Sequence, residues 1–154
     1  MFASEQELEA YLRELIARNV TARFPHVYAL DNKSVTDIVI CRDGRWSAAF
    51  FLEVKLFQEH HGRMGIGAGR GAGIQPELVD RAPDYFERHL HWILVDGRKV
   101  DPCFVFVPTG TLREYLAGGE LGKKFNNIRP RIFEESTELD ESSLIEGLIA
   151  WLSP

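Results

Sequence analysis

Apolar residues recur along this chain at two spacings. At helical spacing they run through Ser4–Val20, where Leu8, Leu12, Leu15 and Ile16, joined by Tyr11, form one stripe. Ser4 with Glu7 three residues on makes a capping box at the start of that helix. Strand-like runs follow at His26–Leu30, Val35–Cys41 and Trp46–Leu56. Asp31-Asn32-Lys33 separates the first two, and Arg42-Asp43-Gly44-Arg45 closes the second pair as a hairpin, its Asp-Gly step being typical of tight loops. Three strands in succession predict an antiparallel meander.

A second helix is expected over Gln75–Leu90, with Pro76 in its first turn and Pro83 kinking or splitting it. His91–Asp96 and Cys103–Val107 read as further strands, and Thr111–Leu116 as the start of a helix stopped by Gly118-Gly119. Ile128–Phe133 reads as a short edge strand, and Ser142–Leu152 as a last helix burying Leu144, Ile145, Leu148, Ile149 and Trp151. The pattern alone predicts one α/β domain with a mixed sheet over residues 1–154.

The third strand carries the chemistry. Side chains alternate faces along a strand, so Phe50, Leu52, Val54 and Leu56 share a wholly apolar face that should point into the core. Phe51, Glu53, Lys55 and Phe57 share the other, and a solvated ion pair there is the bland interpretation. Two flanking phenylalanines argue that this face is not plain wet surface. Asp37 likewise sits among Val35, Ile38, Val39 and Ile40. A lone carboxylate buried among apolar neighbours is costly, and a divalent cation would offset that cost.

An acid on one strand, then Glu-x-Lys on the next, resembles the signature of the PD-(D/E)XK nuclease superfamily, the restriction-endonuclease-like group. The matching residues are Asp37 and Glu53-Val54-Lys55, with Thr36 where the family name has proline. The order helix, three strands, helix, strand also matches that family's αβββαβ core, a mixed sheet flanked by helices in three layers. The match covers about residues 1–108, which leaves 109–154 as a helical C-terminal elaboration. The resemblance implies a Mg²⁺-dependent endonuclease of restriction, defence or repair type, with Mn²⁺ as a substitute and DNA the expected partner. Asp37, Glu53 and the Val54 backbone carbonyl would hold the metal. Lys55 would stabilise charge on the phosphate or orient the attacking water. Gln75 resembles, at long spacing, a glutamine that several members place after the Glu-x-Lys strand. A glutamate of the first helix sometimes joins the metal in this family; Glu9 is the better candidate of Glu5 and Glu9, but a solvated helix glutamate is the favoured reading of it. The alternative is an inactive nuclease-like subunit that binds nucleic acid within a larger complex. A homodimer or a partner subunit would then help grip the substrate. A metabolic α/β enzyme with a chance match is the third class.

Composition and local motifs add to this picture. The net charge of −5 argues against a general nucleic-acid coat. The distribution is uneven, however, with Lys123, Lys124, Arg129 and Arg131 close together ahead of an acidic tail. Gln58–Gly73 holds six glycines, too many to expect core packing. It is either a surface loop or a loop that lets backbone amides and Arg63 or Arg70 approach a phosphate. No Gly-Lys-Ser/Thr ends it, and Gly73 with Pro76 interrupts any dinucleotide fingerprint. Cys41 and Cys103 lie in apolar runs and read as small core residues in a reducing compartment. No signal-peptide pattern or membrane-length apolar run is present, so a cytoplasmic protein without membrane partners is expected. His60-His61 and His89/His91 are poorly placed for a metal of their own, although His60 lies close enough along the chain to touch a phosphate.

Overall fold

A computed structural model of the chain describes residues 2–24, 27–31, 36–62, 64–66, 79, 82–118 and 127–154. Helix α1 spans Glu5–Leu15 and runs on into a wider helical turn, Ile16–Thr21. Ser4 caps it, its Oγ accepting the Glu7 N–H at 3.2 Å. The Glu7 carboxylate returns one residue further back than a capping box requires, to the N–H of Ala3 at 2.7 Å.

Strands β1 (Val27–Asp31), β2 (Ile38–Arg42) and β3 (Ala48–Phe57) form the expected antiparallel meander. Gly44, at φ 94°, makes the turn of the second hairpin, a left-handed conformation that favours glycine. Strand β5 (Leu90–Asp96) lies parallel to β3, and β6 (Phe104–Pro108) antiparallel to β5. The resulting mixed sheet has the order β1-β2-β3-β5-β6, so the second and fifth strands oppose the rest. The chain is therefore an α/β protein with a mixed, partly parallel sheet.

Helices cover both faces. On one, Leu8, Leu12, Leu15 and Ile16 pack with Leu144, Leu148 and Leu152 over Ile38, Ile40, Leu52 and Val54. The latter leucines belong to the last helix, Glu141–Leu152, which Asp140 caps through the Ser143 N–H at 2.7 Å. It shares this core with α1, so the C-terminal residues complete the layer. On the other face, Trp92, Leu94, Val105 and Val107 pack under Leu112, Tyr115, Ile128 and Ile132. Short helices supply this side: α2 (Pro83–His89), α3 (Thr109–Arg113) and α4 (Ile132–Glu135), with α5 denoting Glu141–Leu152. Of the predicted second helix, Pro83–His89 is helical, with Pro83 opening it at a position where its missing N–H costs nothing; before Pro83 only Val79 and Ala82 of it lie within the described residues.

Three expectations are corrected. Of the predicted edge strand Ile128–Phe133 only Ile128 is in a strand, together with Asn127 before it, and residues from Ile132 are helical. That strand, β7, pairs with Met64–Gly65 (β4) away from the main sheet. Second, the glycine-rich stretch does contribute to the core: Met64 and Ile66 are buried in the second cluster. Two large apolar side chains suffice to pin it there despite the glycines around them. Third, Cys41 and Cys103 are free thiols but only half-buried, and Cys103 precedes β6. Among the described residues, no helix is long and apolar enough to cross a membrane.

Candidate active site

The β2–β3 register brings the two predicted acids together. Ile38 pairs with Leu52, so continuing by one residue sets Asp37 opposite Glu53 on the same face of the sheet. The strands separate there, and side chains replace ladder bonds. The Asp37 carboxylate accepts the Val54 N–H at 2.8 Å. The Thr36 hydroxyl, itself buried, donates to the Leu52 carbonyl at 2.7 Å. A residue of this type thus fixes the start of β2 without a proline.

Lys55 stands between the acids. Its Nζ lies 3.3 Å from Glu53 and 3.4 Å from Asp37. It also donates to the Val54 carbonyl oxygen at 2.9 Å, the backbone atom expected to hold a metal. A carbonyl oxygen has two lone pairs, so that bond leaves one acceptor direction open. Glu53 is 1% exposed and Lys55 7%, which rejects the solvated ion pair as a description of this face.

The third carboxylate comes from α1, and it is Glu5 rather than Glu9. Glu5 lies 4.0 Å from Lys55 Nζ and accepts the Leu56 N–H at 3.4 Å. Glu9, one turn on and buried, lies 3.7 Å from Arg13 instead. The helix ends over β3 with its first turn toward the site, which periodicity alone does not reveal. Gln75, Arg63 and Arg70 lie outside the described residues.

Three carboxylates around one ammonium leave two negative charges when all are ionised. Glu53 is the carboxyl most strongly perturbed, and burial is the first cause. Burial lifts its carboxyl to about 7; the Lys55 ammonium pulls it down and the Asp37 carboxylate pushes it up. Burial alone would lower the Lys55 ammonium, but Glu53, Asp37 and Glu5 outweigh burial and hold it above its ordinary value. Glu53 Oε1 is buried without a hydrogen-bond partner. An acceptor left bare in the interior is expensive, and native proteins rarely leave one without a reason.

A cleft of about 570 Å³ adjoins this cluster. Ser4, Glu5 and Gln6 from the start of α1 form one wall, and Leu56, Gln58, His60, His61, Met64 and Gly65 the other. Glu5 belongs to both the cleft and the carboxylate cluster.

Hard carboxylate oxygens suit Mg²⁺ or Mn²⁺, and Mg²⁺ commonly keeps several waters beside one or two protein carboxylates. The unpartnered Glu53 oxygen and the surplus negative charge fit such an ion. Among the described residues, no group of three or more His, Cys, Asp or Glu side chains is arranged to hold a metal ion, so an ion here would rest on two protein carboxylates, the Val54 carbonyl and waters. No family model matches the chain, and no curated protein sequence matches it.

Proposed function

We propose that the chain is a metal-dependent nuclease that hydrolyses phosphodiester bonds, with a restriction-endonuclease-like core and DNA as its expected substrate. One observation carries this reading: Glu53, fully buried beside Asp37 and Lys55, keeps an oxygen that no protein group satisfies. In the main sheet, the order α1, β1, β2, β3, α2 and then β5, parallel to β3, supports it, with the short β4 standing outside that sheet.

Asp37 and Glu53 would hold the divalent ion, with the free acceptor direction of the Val54 carbonyl available to it and Glu5 close enough to bind through water. When bound, such an ion acidifies a coordinated water and polarises the phosphoryl oxygen. The chain's own groups do the rest. Val54 N–H fixes the Asp37 carboxylate, leaving its other oxygen for the ion or its water. With the ion bound, Glu53 would be held ionised, its proton released to solvent. Lys55, freed from part of its carboxylate load, offers its ammonium to the negative charge that builds on the phosphate. The strands hold these groups more rigidly than a loop would. A site with surplus negative charge repels a phosphodiester, so the reaction requires the cation.

The test is direct. Purified chain with Mg²⁺ or Mn²⁺ should nick or degrade DNA or RNA, EDTA should stop it, and Lys55→Ala or Lys55→Met should abolish it in folded protein. Cleavage that survives loss of the ammonium would reject the role given to Lys55.

A second reading is favoured by the same lysine. Its contacts with both acids and the Val54 carbonyl form an arrangement that can persist without an ion. The chain would then be a nuclease-like subunit that binds nucleic acid with a partner. Calorimetry showing no uptake of Mg²⁺ or Mn²⁺ would favour this reading over the first.

A further inference from the structure

The cleft beside the carboxylates has a wall with no part in the chemistry above. Phe57, at the end of β3, and Met64, in β4, are both buried, and Glu59–Gly62 lies exposed between them. Glu59–His61 forms one tight helical turn, closed by bonds from the His61 and Gly62 N–H groups to the Gln58 carbonyl. Gly62, at φ 64°, reverses the chain in a conformation that favours glycine. Gln58 ties the turn to α1 by donating to the Ala3 carbonyl at 2.9 Å. Two exposed imidazoles are thus held on a fixed turn between buried anchors. Their ring centroids lie 4.0 Å apart, and both line the cleft.

Resting on the nuclease reading, we propose that this cleft takes one unpaired nucleotide next to the scissile phosphate, and that His60 and His61 bind it. The volume is that of a small-molecule site, not of a duplex groove. A base reaches such a cleft only when out of the helical stack, and extracting it from a duplex costs a few kcal/mol. Imidazole faces stack on bases without regard to sequence, and ring N–H groups donate to phosphate. Gln58 and Gln6 add polar groups on opposite walls. Glu5 separates the histidines from Lys55, so the nucleotide held here neighbours the one being cut. The substrate class that follows is single-stranded nucleic acid, including flaps and frayed ends.

The experiment uses the full chain and a fluorescently labelled oligonucleotide, single-stranded or as a blunt duplex. Binding is read by anisotropy in Ca²⁺, which offsets the carboxylate charge, and cleavage in Mn²⁺ and separately in Mg²⁺. Single strands should bind and be cut in preference to duplex. His60→Ala/His61→Ala should weaken single-strand binding and raise KM by about tenfold, with kcat little changed. Glu59→Gln, on the same turn but not a wall of the cleft, should match wild type. Cleavage of duplex as efficient as single strands, or a double variant with unaltered KM, overturns this inference and leaves the nuclease reading intact. Absence of cleavage of every substrate by wild-type chain in both metals overturns the nuclease reading, and this inference with it.

Discussion

Replacing Lys55 with methionine removes the ammonium and keeps most of the side-chain volume. The consequences depend on pH through Glu53. Burial raises its folded-state value to about 7 from an ordinary 4.5. The folded protein therefore retains a proton that the unfolded chain releases, and stability falls as pH rises through that window. The slope is about 1.4 kcal/mol per pH unit. Above about 7 both states are ionised in the wild type, so the decline ends. In Lys55→Met the ammonium that pulls Glu53 down is gone, so its folded value moves higher still and the decline continues. From about pH 7 to about pH 8.5 the gap between wild type and variant should widen by about 2 kcal/mol. That is a large part of a typical total of about 5–15 kcal/mol, and it is smaller than the roughly 3–5 kcal/mol usual for stranding one partner of a buried pair. Near pH 6 Glu53 is mostly neutral and the variant should be folded. Its catalytic defect can be scored there without interference from unfolding. Urea denaturation followed by tryptophan fluorescence at three pH values gives the measurement. A gap that stays constant across them would refute the assignment of Glu53 as the buried proton carrier.

Further predictions concern metal and fold. Metal uptake requires ionised Glu53, so Mn²⁺ affinity should fall about tenfold per unit as pH drops below about 7. Titration calorimetry near pH 6, in two buffers of different ionisation heat, should show proton release. Asp37→Asn should lose Mn²⁺ uptake while melting close to wild type, because the amide oxygen can still accept the Val54 N–H; uptake unchanged by calorimetry would remove Asp37 from the metal set. Gly97→Ala should destabilise by about 1–3 kcal/mol, since a Cβ at Gly97 collides with the Phe57 carbonyl oxygen that its own N–H binds. An unaltered urea midpoint would contradict the close approach of these two segments.

Much of this architecture is written in local pattern. The stripe Leu8–Leu12–Leu15 and the Ser4 cap define α1, and the Asp43-Gly44 turn with alternating β3 defines the hairpin. The juxtaposition of Asp37 with Glu53 follows from a register that the apolar face fixes, because a slip of one residue would turn Leu52 and Val54 away from the core. What local pattern misses depends on where elements sit in space. Glu5 and Glu9 both belong to α1, and only the angle at which it crosses β3 decides which reaches Lys55. Met64 and Ile66 look like loop residues among glycines, yet Met64 belongs to a strand whose partner, Asn127–Ile128, lies far along the chain. Likewise the position of α5 in the sequence suggests an elaboration, whereas Leu144 and Leu148 share the core of α1. The bare oxygen of Glu53 has no sequence signal beyond a carboxylate between phenylalanines.

Crystals soaked in Mn²⁺ provide the most direct measurement, because anomalous scattering locates the ion independently of the protein atoms. A peak between Asp37 and Glu53, with the Lys55 ammonium turned toward solvent or phosphate, is the result this account predicts. No peak at millimolar Mn²⁺, with Lys55 still bridging both carboxylates, would contradict it.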